Sequence, residues 1–238
     1  MDDNIYILIP SRIGSTRLKN KPLVDLNGKT LIQRVYQNAS HVSENTFIAT
    51  DSILIKENLS SITSNVLMTS SKHISGTDRI YEAAELLNLS DNNLIINLQG
   101  DEPFLPKELI HNIVNDYNTN SCDVITASTE ITSSEELDNL NTVLVETDNK
   151  NLATKFQRTS TGMNDPKKHI GIYGYSMRTL RKIINLEPTS NELEFKLEQL
   201  RFLENDYSIY VTHISTKIHS GIDTHDDVIA AVNFLKTL

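Results

Sequence analysis

Between Ser11 and Pro22 the chain carries Arg12, Arg17, Lys19 and Lys21 and no acidic residue. The segment follows a β-rich run at residues 5–9 and contains Gly14, Ser15 and Thr16. Small residues let backbone N–H groups approach phosphate oxygens, and neighbouring cations neutralise the remaining charge. A guanidinium and an ammonium in such a loop would stabilise the charge that builds on a departing pyrophosphate. A solvated surface loop has the same composition, so the loop alone leaves both readings open. The nearby Asn27-Gly-Lys-Thr30 imitates the tail of a P-loop, but the first glycine of that motif would fall at Leu23. Gly28 instead reads as a turn before a helix that starts near Thr30.

Three other places could do chemistry. Ser75-Gly-Thr-Asp-Arg79 lies between a short strand and a helix. Gly76 would let backbone groups close on a flat base, and Arg79 could reach a phosphate or a carboxylate; Thr77 or Asp78 as a helix cap is the plainer alternative. Asp101 follows an apolar run at residues 94–98, which places it at the C-terminal edge of a strand, where ligands of open α/β sheets bind. It also suits a turn before Pro103. Asp223, in Gly221-Ile-Asp-Thr224, is well placed as a helix N-cap. There is no G-x-S-x-G motif, and the single cysteine, Cys122, has no motif around it and reads as a half-buried small residue.

These residues need a scaffold, and the apolar pattern supplies one. Apolar runs at 5–9, 46–50, 66–68 and 94–98 alternate with helical candidates that include 31–39 and 78–87. In the latter, Ile80, Ala83, Ala84 and Leu87 share one face. Strands spaced by helices imply βαβ units, a mostly parallel sheet and loops gathered on one edge. Beyond residue 100 the reading is a helix at 107–117, a strand at 123–128, and two strands within 141–156 around a turn at 148–151. A polar loop at 159–168, a strand at 169–175, a helix at 191–204, a strand at 208–213 and a last helix at 224–238 follow. The expected architecture is a three-layer, mostly parallel Rossmann-like α/β sheet forming one domain over 1–238, with about 130–190 as a small secondary lobe.

Net charge is −9, which argues against a nucleic-acid partner. The cations of the 11–22 segment can still oppose that sign locally. No run of about 18 apolar residues is present, so no membrane span is expected. The absence of a basic leader and of paired cysteines points to a reducing cytoplasm.

The string IPSRIGSTRLKNKPLVDLNGKTLIQRVYQ resembles the opening of the 3-deoxy-manno-octulosonate (Kdo) cytidylyltransferases, also called CMP-Kdo synthetases. Further strings resemble that family in the same order: Ile48-Ala-Thr-Asp51, MTSSKHISGTDR ending at Arg79, NLQGDEP ending at Pro103, and HIGIYGY ending at Tyr175. Leu197-Glu-Gln-Leu-Arg201 and Gly221-Ile-Asp-Thr224 complete a likeness that spans nearly the whole chain.

The resemblance implies a magnesium-dependent nucleotidyltransferase that turns CTP and Kdo into CMP-Kdo and pyrophosphate, for lipopolysaccharide or another Kdo-bearing polymer. It implies that Asp101 and Asp223 hold Mg2+ against the phosphates, with Arg12 and Lys21 joining them in catalysis. CTP would be bound by Ser11, Arg12, Gly14, Ser15, Lys21, Ser75, Gly76, Arg79 and Gln99. The sugar would meet Arg79, Gln99, Arg158, His169, Tyr173, Glu198 and Gln199, with Arg158 suited to bidentate carboxylate recognition. A homodimer is a further expectation from the family.

The sequence departs from the family where the sugar is expected. The usual Leu-Tyr-Phe-Ser-Arg stretch is Ala153-Thr-Lys-Phe-Gln-Arg158, the usual valine-lysine pair is Val143-Leu144, and the 159–168 loop is short. A related acid sugar such as 8-amino-Kdo therefore stands as an alternative substrate. A nucleotide-binding protein without turnover is the other alternative.

Overall fold

The computed structural model describes residues 4–237 apart from 16, 74, 140, 217 and 220, so Thr16 of the basic loop lies outside the described residues. β1 (Ile5–Ser11) leads through a 3-10 turn (Lys21–Leu23) to α1 (Leu31–Ser40). β2 (Thr46–Thr50), α2 (Ile53–Leu59), β3 (Val66–Met68), α3 (Gly76–Leu86) and β4 (Leu94–Leu98) continue the alternation. Next come α4 (Lys107–Thr119), β5 (Val124–Thr129), α5 (Ser134–Asp138), β6 (Leu144–Thr147), β7 (Ala153–Gln157) and β8 (Lys167–Ser176). α6 (Met177–Ile183), α7 (Ser190–Phe195), α8 (Gln199–Glu204), β9 (Ile209–Ile214) and α9 (His225–Leu235) follow.

These elements fall into two compact units. The first joins Met1–Lys107 to His219–Leu238, and the second is Glu108–Ile218. The second is wider than the 130–190 lobe drawn from the sequence because β9 pairs in parallel with β5 and so belongs with it.

In the first unit the strands run in the order β3-β2-β1-β4, and every pairing is parallel. The near-continuous apolar runs of β1 and β4 suit a sheet covered on both faces, and all five residues of β4 are buried. Chain order runs outward from β1 to β2 and β3, whereas β4 lies on the other side of β1. A crevice opens outside the carboxyl ends of strands where the order reverses in this way. Ser11 ends β1, and Gln99 to Asp101 follow β4, so the sequence motifs sit at that reversal.

α1, α3, α5, α6, α7 and α9 each start where a side chain satisfies one of the first N–H groups. Thr30 caps α1 in a capping box with Gln33, and Gly28, at φ 82, makes the turn that leads into it. Leu31, Ile32, Val35, Tyr36 and Ala39 give α1 one buried face. α2, α5 and α6 were not legible in the sequence, each being too short to show periodicity.

The second unit is mixed. β5 runs parallel to β9 and antiparallel to β8, and β6 is antiparallel to both β7 and β8. The helix expected over 191–204 is two helices. Lys196 adopts a left-handed conformation (φ 54, ψ 48) and ends α7, its N–H bonding the Glu192 carbonyl. The leucine stripe breaks accordingly, with Leu193 66% exposed while Leu197 and Leu200 are buried. The break lets Arg201 fork onto Glu192, with Nε to Oε2 at 2.7 Å and Nη2 to Oε1 at 2.5 Å.

Candidate functional site

A cleft of about 380 Å³ opens at the strand-order reversal of the first unit, within the size range of small-molecule sites. One wall is the basic loop, with Ser11, Arg12, Gly14, Ser15, Arg17 and Lys21. Arg12 is exposed and makes no ion pair among the described residues, which leaves its guanidinium open to an anion. The Ser11 hydroxyl is buried without a hydrogen-bond partner among the described residues, the state expected of a group that completes its bonding with a ligand. Ser15 is drawn into the loop itself, its Oγ accepting from the Leu18 N–H at 3.2 Å. A Cβ on Gly14 would meet nothing within 4 Å, so the protein leaves that backbone approachable.

The floor is a charged knot. The Lys21 ammonium donates to Asp101 Oδ2 at 2.6 Å and to Asp223 Oδ1 at 2.9 Å, and Arg17 Nη2 reaches Asp223 Oδ2 at 3.0 Å. Burial works to lower the pKa of Lys21, but Asp101 and Asp223 outweigh it and raise it. Asp223 reaches this place because the Ile222 N–H bonds the Asp101 carbonyl at 2.9 Å, pinning the 221–224 turn beside the strand end. The N-cap of α9 is Thr224 rather than Asp223, in a capping box with Asp227, so the Asp223 carboxylate is free to face the cleft. Gly100 makes the approach possible. A Cβ there would stand 2.8 Å from the Pro10 carbonyl oxygen.

Two carboxylates converging on one cation are hard oxygen donors of the kind magnesium uses together with substrate phosphates and water. Among the described residues there is no cluster of three or more His, Cys, Asp or Glu that would form a cage by itself. Asp101 and Asp223 therefore fit an ion that arrives with its nucleotide better than a resident one.

The remaining wall comes from the entry to α3. Ser75, not Thr77 or Asp78, is the N-cap, and Asp78 returns the bond to complete a capping box. Gly76 packs its Cα side against the Pro10 ring. Arg79 lines the cleft but is only 3% exposed, because Nη1 bonds Thr69 Oγ1 at 2.6 Å and Nη2 pairs with Asp51 at 3.3 Å. The carboxylate that Arg79 reaches is thus one of the protein's own. Gln99 bonds Asn97 across 3.3 Å and also faces the cleft. His73 lines the cleft as well and was not foreseen as a site residue; its only signal was its place in the string that ends at Arg79. Arg17 was counted among the loop cations without a role.

The sugar-side candidates lie in the second unit. The His169 ring packs edge-on against Phe156 and beside Tyr173, with centroids 5.2 and 5.6 Å away, and its Nε2 bonds Thr126 Oγ1 at 2.8 Å. Burial pushes its pKa down to about 3. Burial, with Glu198 adding to it, raises the Tyr173 hydroxyl well above its ordinary value. Gln199 is buried and Glu198 half-buried, in place of the solvent exposure that their position off the leucine stripe suggested. Arg158 directs its guanidinium at the carbonyls of Asn141, Phe195 and Lys196, at 3.4 to 3.5 Å. Cys122 is half-buried, and burial pushes its thiol up to about 11. No helix among the described residues is long and apolar enough to cross a membrane.

A parallel sheet with cations and acids gathered at its strand-order reversal is suited to binding a nucleotide. The fold alone is shared with 4-diphosphocytidyl-2C-methyl-D-erythritol synthase from Anaerococcus prevotii, at 14% identity and a TM-score of 0.63, covering 98% of this chain and all of that one. A family model described as cytidylyltransferase matches residues 6–229, and the chain belongs to that family. A 3-deoxy-manno-octulosonate cytidylyltransferase of Idiomarina loihiensis is 37% identical, covering 93% of this chain and 94% of the relative. An 8-amino-3,8-dideoxy-manno-octulosonate cytidylyltransferase of Shewanella pealeana is 38% identical, covering 94% and 96%. Among solved structures, a CMP:2-keto-3-deoxy-manno-octonic acid synthetase complexed with CTP superposes with a TM-score of 0.90 at 28% identity, covering 98% of each chain.

Proposed function

We propose that this chain is a cytidylyltransferase that activates Kdo with CTP, giving CMP-Kdo and pyrophosphate for a Kdo-bearing polymer such as lipopolysaccharide. The observation that carries the reading is the meeting of Lys21, Asp101 and Asp223 in a cleft walled by the basic loop. The sugar's anomeric oxygen attacks the α-phosphorus, the bond between the α- and β-phosphates breaks, and the hydroxyl proton passes to solvent. Arg12 and Lys21 hold the triphosphate and stabilise the charge that gathers on pyrophosphate. Ser11, Gly14 and Ser15 bring backbone and hydroxyl donors to it, and the entry to α3 and Gln99 line the nucleotide. Positioning and charge stabilisation suffice for such transfers, and no covalent nucleophile takes part. Magnesium bound by Asp101 and Asp223 would supply further charge neutralisation and polarise the attacked phosphate. His169, Tyr173, Arg158, Glu198 and Gln199 are assigned to the acid sugar. We also assign the protein to the cytoplasm, as a homodimer.

The altered 143–168 stretch, together with the 8-amino-sugar relative, favours a second substrate. Pyrophosphate release from CTP and magnesium, measured across a panel of 3-deoxy acid sugars, separates the possibilities. Turnover with Kdo is expected. Turnover only with the 8-amino sugar selects that substrate, and CTP binding without turnover on any sugar selects a nucleotide-binding protein. Removing magnesium with a chelator should abolish pyrophosphate release, and undiminished release would remove the ion from the mechanism.

A further inference from the structure

His73 is a polar side chain of the cleft with no part in the chemistry above. His73 lines the same cleft as Lys21 and Ser75 and is held from behind by Glu82 on the second turn of α3. The pair is built rather than incidental. Glu82 Oε2 bonds His73 Nε2 and also accepts the Ser70 N–H at 2.7 Å, so one carboxylate fixes both the imidazole and the backbone leading to it. Both side chains are half-buried, at 21% and 34% exposure. Arg79, anchored on Asp51 and Thr69, locks the same stretch of α3.

We propose that His73 is a nucleotide-contacting residue that works through Nδ1, and that Glu82 is the positioning residue that orients it. This rests on the cleft being the CTP site. Burial alone would raise the Glu82 carboxyl, but the Ser70 N–H and His73, helped by Arg79, outweigh it and hold it below the usual range. As a carboxylate Glu82 is only an acceptor, so the hydrogen on His73 is at Nε2 in either charge state. The polar atom left over is Nδ1, which has no hydrogen-bond partner among the described residues. A ring that its back partner fixes in tautomer and orientation offers that nitrogen at no further ordering cost, as carboxylate-backed histidines do at metal sites. Neutral, Nδ1 accepts from a hydroxyl or amine of the nucleotide; protonated, it donates to a phosphate oxygen.

Two amide substitutions separate this role from a merely structural one. An Asn side chain places its polar atoms where Nδ1 stands, and a Gln side chain places them where Nε2 stands. His73→Asn keeps the ligand contact and loses the tie to Glu82, whereas His73→Gln does the reverse. CTP binding by calorimetry is expected to weaken about tenfold in His73→Gln and no more than about threefold in His73→Asn. KM for CTP should rise in parallel while kcat stays near normal. Glu82→Gln should raise KM for CTP by a smaller factor, again without loss of kcat. On the unaltered protein with 15N-labelled histidine, adding CTP should move one ring nitrogen of His73 and leave the other, which needs no variant to fold. The proposal is overturned if His73→Gln binds CTP normally, if His73→Asn is the worse of the two, or if neither ring nitrogen responds. If those results arise in a protein that still binds CTP and releases pyrophosphate, only the role of His73 falls; if the unaltered protein binds no CTP, the functional reading falls with it.

Discussion

Lys21 and His169 both lose water on folding, and they respond in opposite directions. Lys21, in the cleft of the first unit, is held charged because Asp101 and Asp223 more than repay its desolvation. His169, in the second unit, has a threonine hydroxyl and two aromatic rings around it and no countercharge among the described residues, so burial drives it neutral. Desolvation is common to both, and the partner decides the charge state. The first region keeps fixed charges where a polyphosphate is expected. Around His169 the second keeps uncharged hydrogen-bonding groups.

Taking apart the charged knot should have the largest effect. Asp101→Asn, Asp223→Asn and Lys21→Met are each expected to lower turnover by about 10²- to 10³-fold, with the fold retained. Pyrophosphate release together with circular dichroism checks this, and near-normal rates in either asparagine variant would count against the role given to that carboxylate. Next comes the close approach that shapes the cleft. Gly100→Ala pushes a methyl against the Pro10 carbonyl, which is backbone and cannot swing aside. It should cost about 1–3 kcal/mol and lower Tm by several degrees in a thermal melt. An unchanged Tm would show that the strand ends have slack.

An effect seen only on acidification sharpens the other side of the comparison. The folded-state pKa of His169, at about 3, lies below its ordinary value of 6.5. In that window the unfolded chain binds a proton that the native protein does not. The His169 contribution is therefore complete above pH 6.5 and is lost as pH falls toward 3, with a slope on the order of 1 kcal/mol per pH unit. His169→Gln, which does not titrate, should show a shallower loss of stability over that range in urea unfolding at several pH values. Equal slopes would mean that the ring is better solvated than its packing indicates.

Much of the first unit was legible in the sequence. Its strands are apolar runs, α3 carries a periodic face, and the basic loop, the 97–103 string and the 221–224 string could each be placed at a strand end or helix start. The second unit was harder. The leucine spacing of 191–204 satisfies a helix, and nothing local announces that Lys196 will turn left-handed and divide it. Which residue caps a helix was likewise open: Ser75 and Thr224 take the role that Thr77, Asp78 and Asp223 could equally have filled.

The sequence by itself determined the parallel α/β core and the family, because apolar period and motif order are properties of neighbouring residues. Tertiary structure alone decided that Asp101 and Asp223 share one ammonium, that Arg79 is spent on Asp51, and that Glu82 stands behind His73. Such facts depend on which side chains meet after residues far apart in the chain are packed together, and on how much water each loses in the meeting. Neither quantity is written in local spacing.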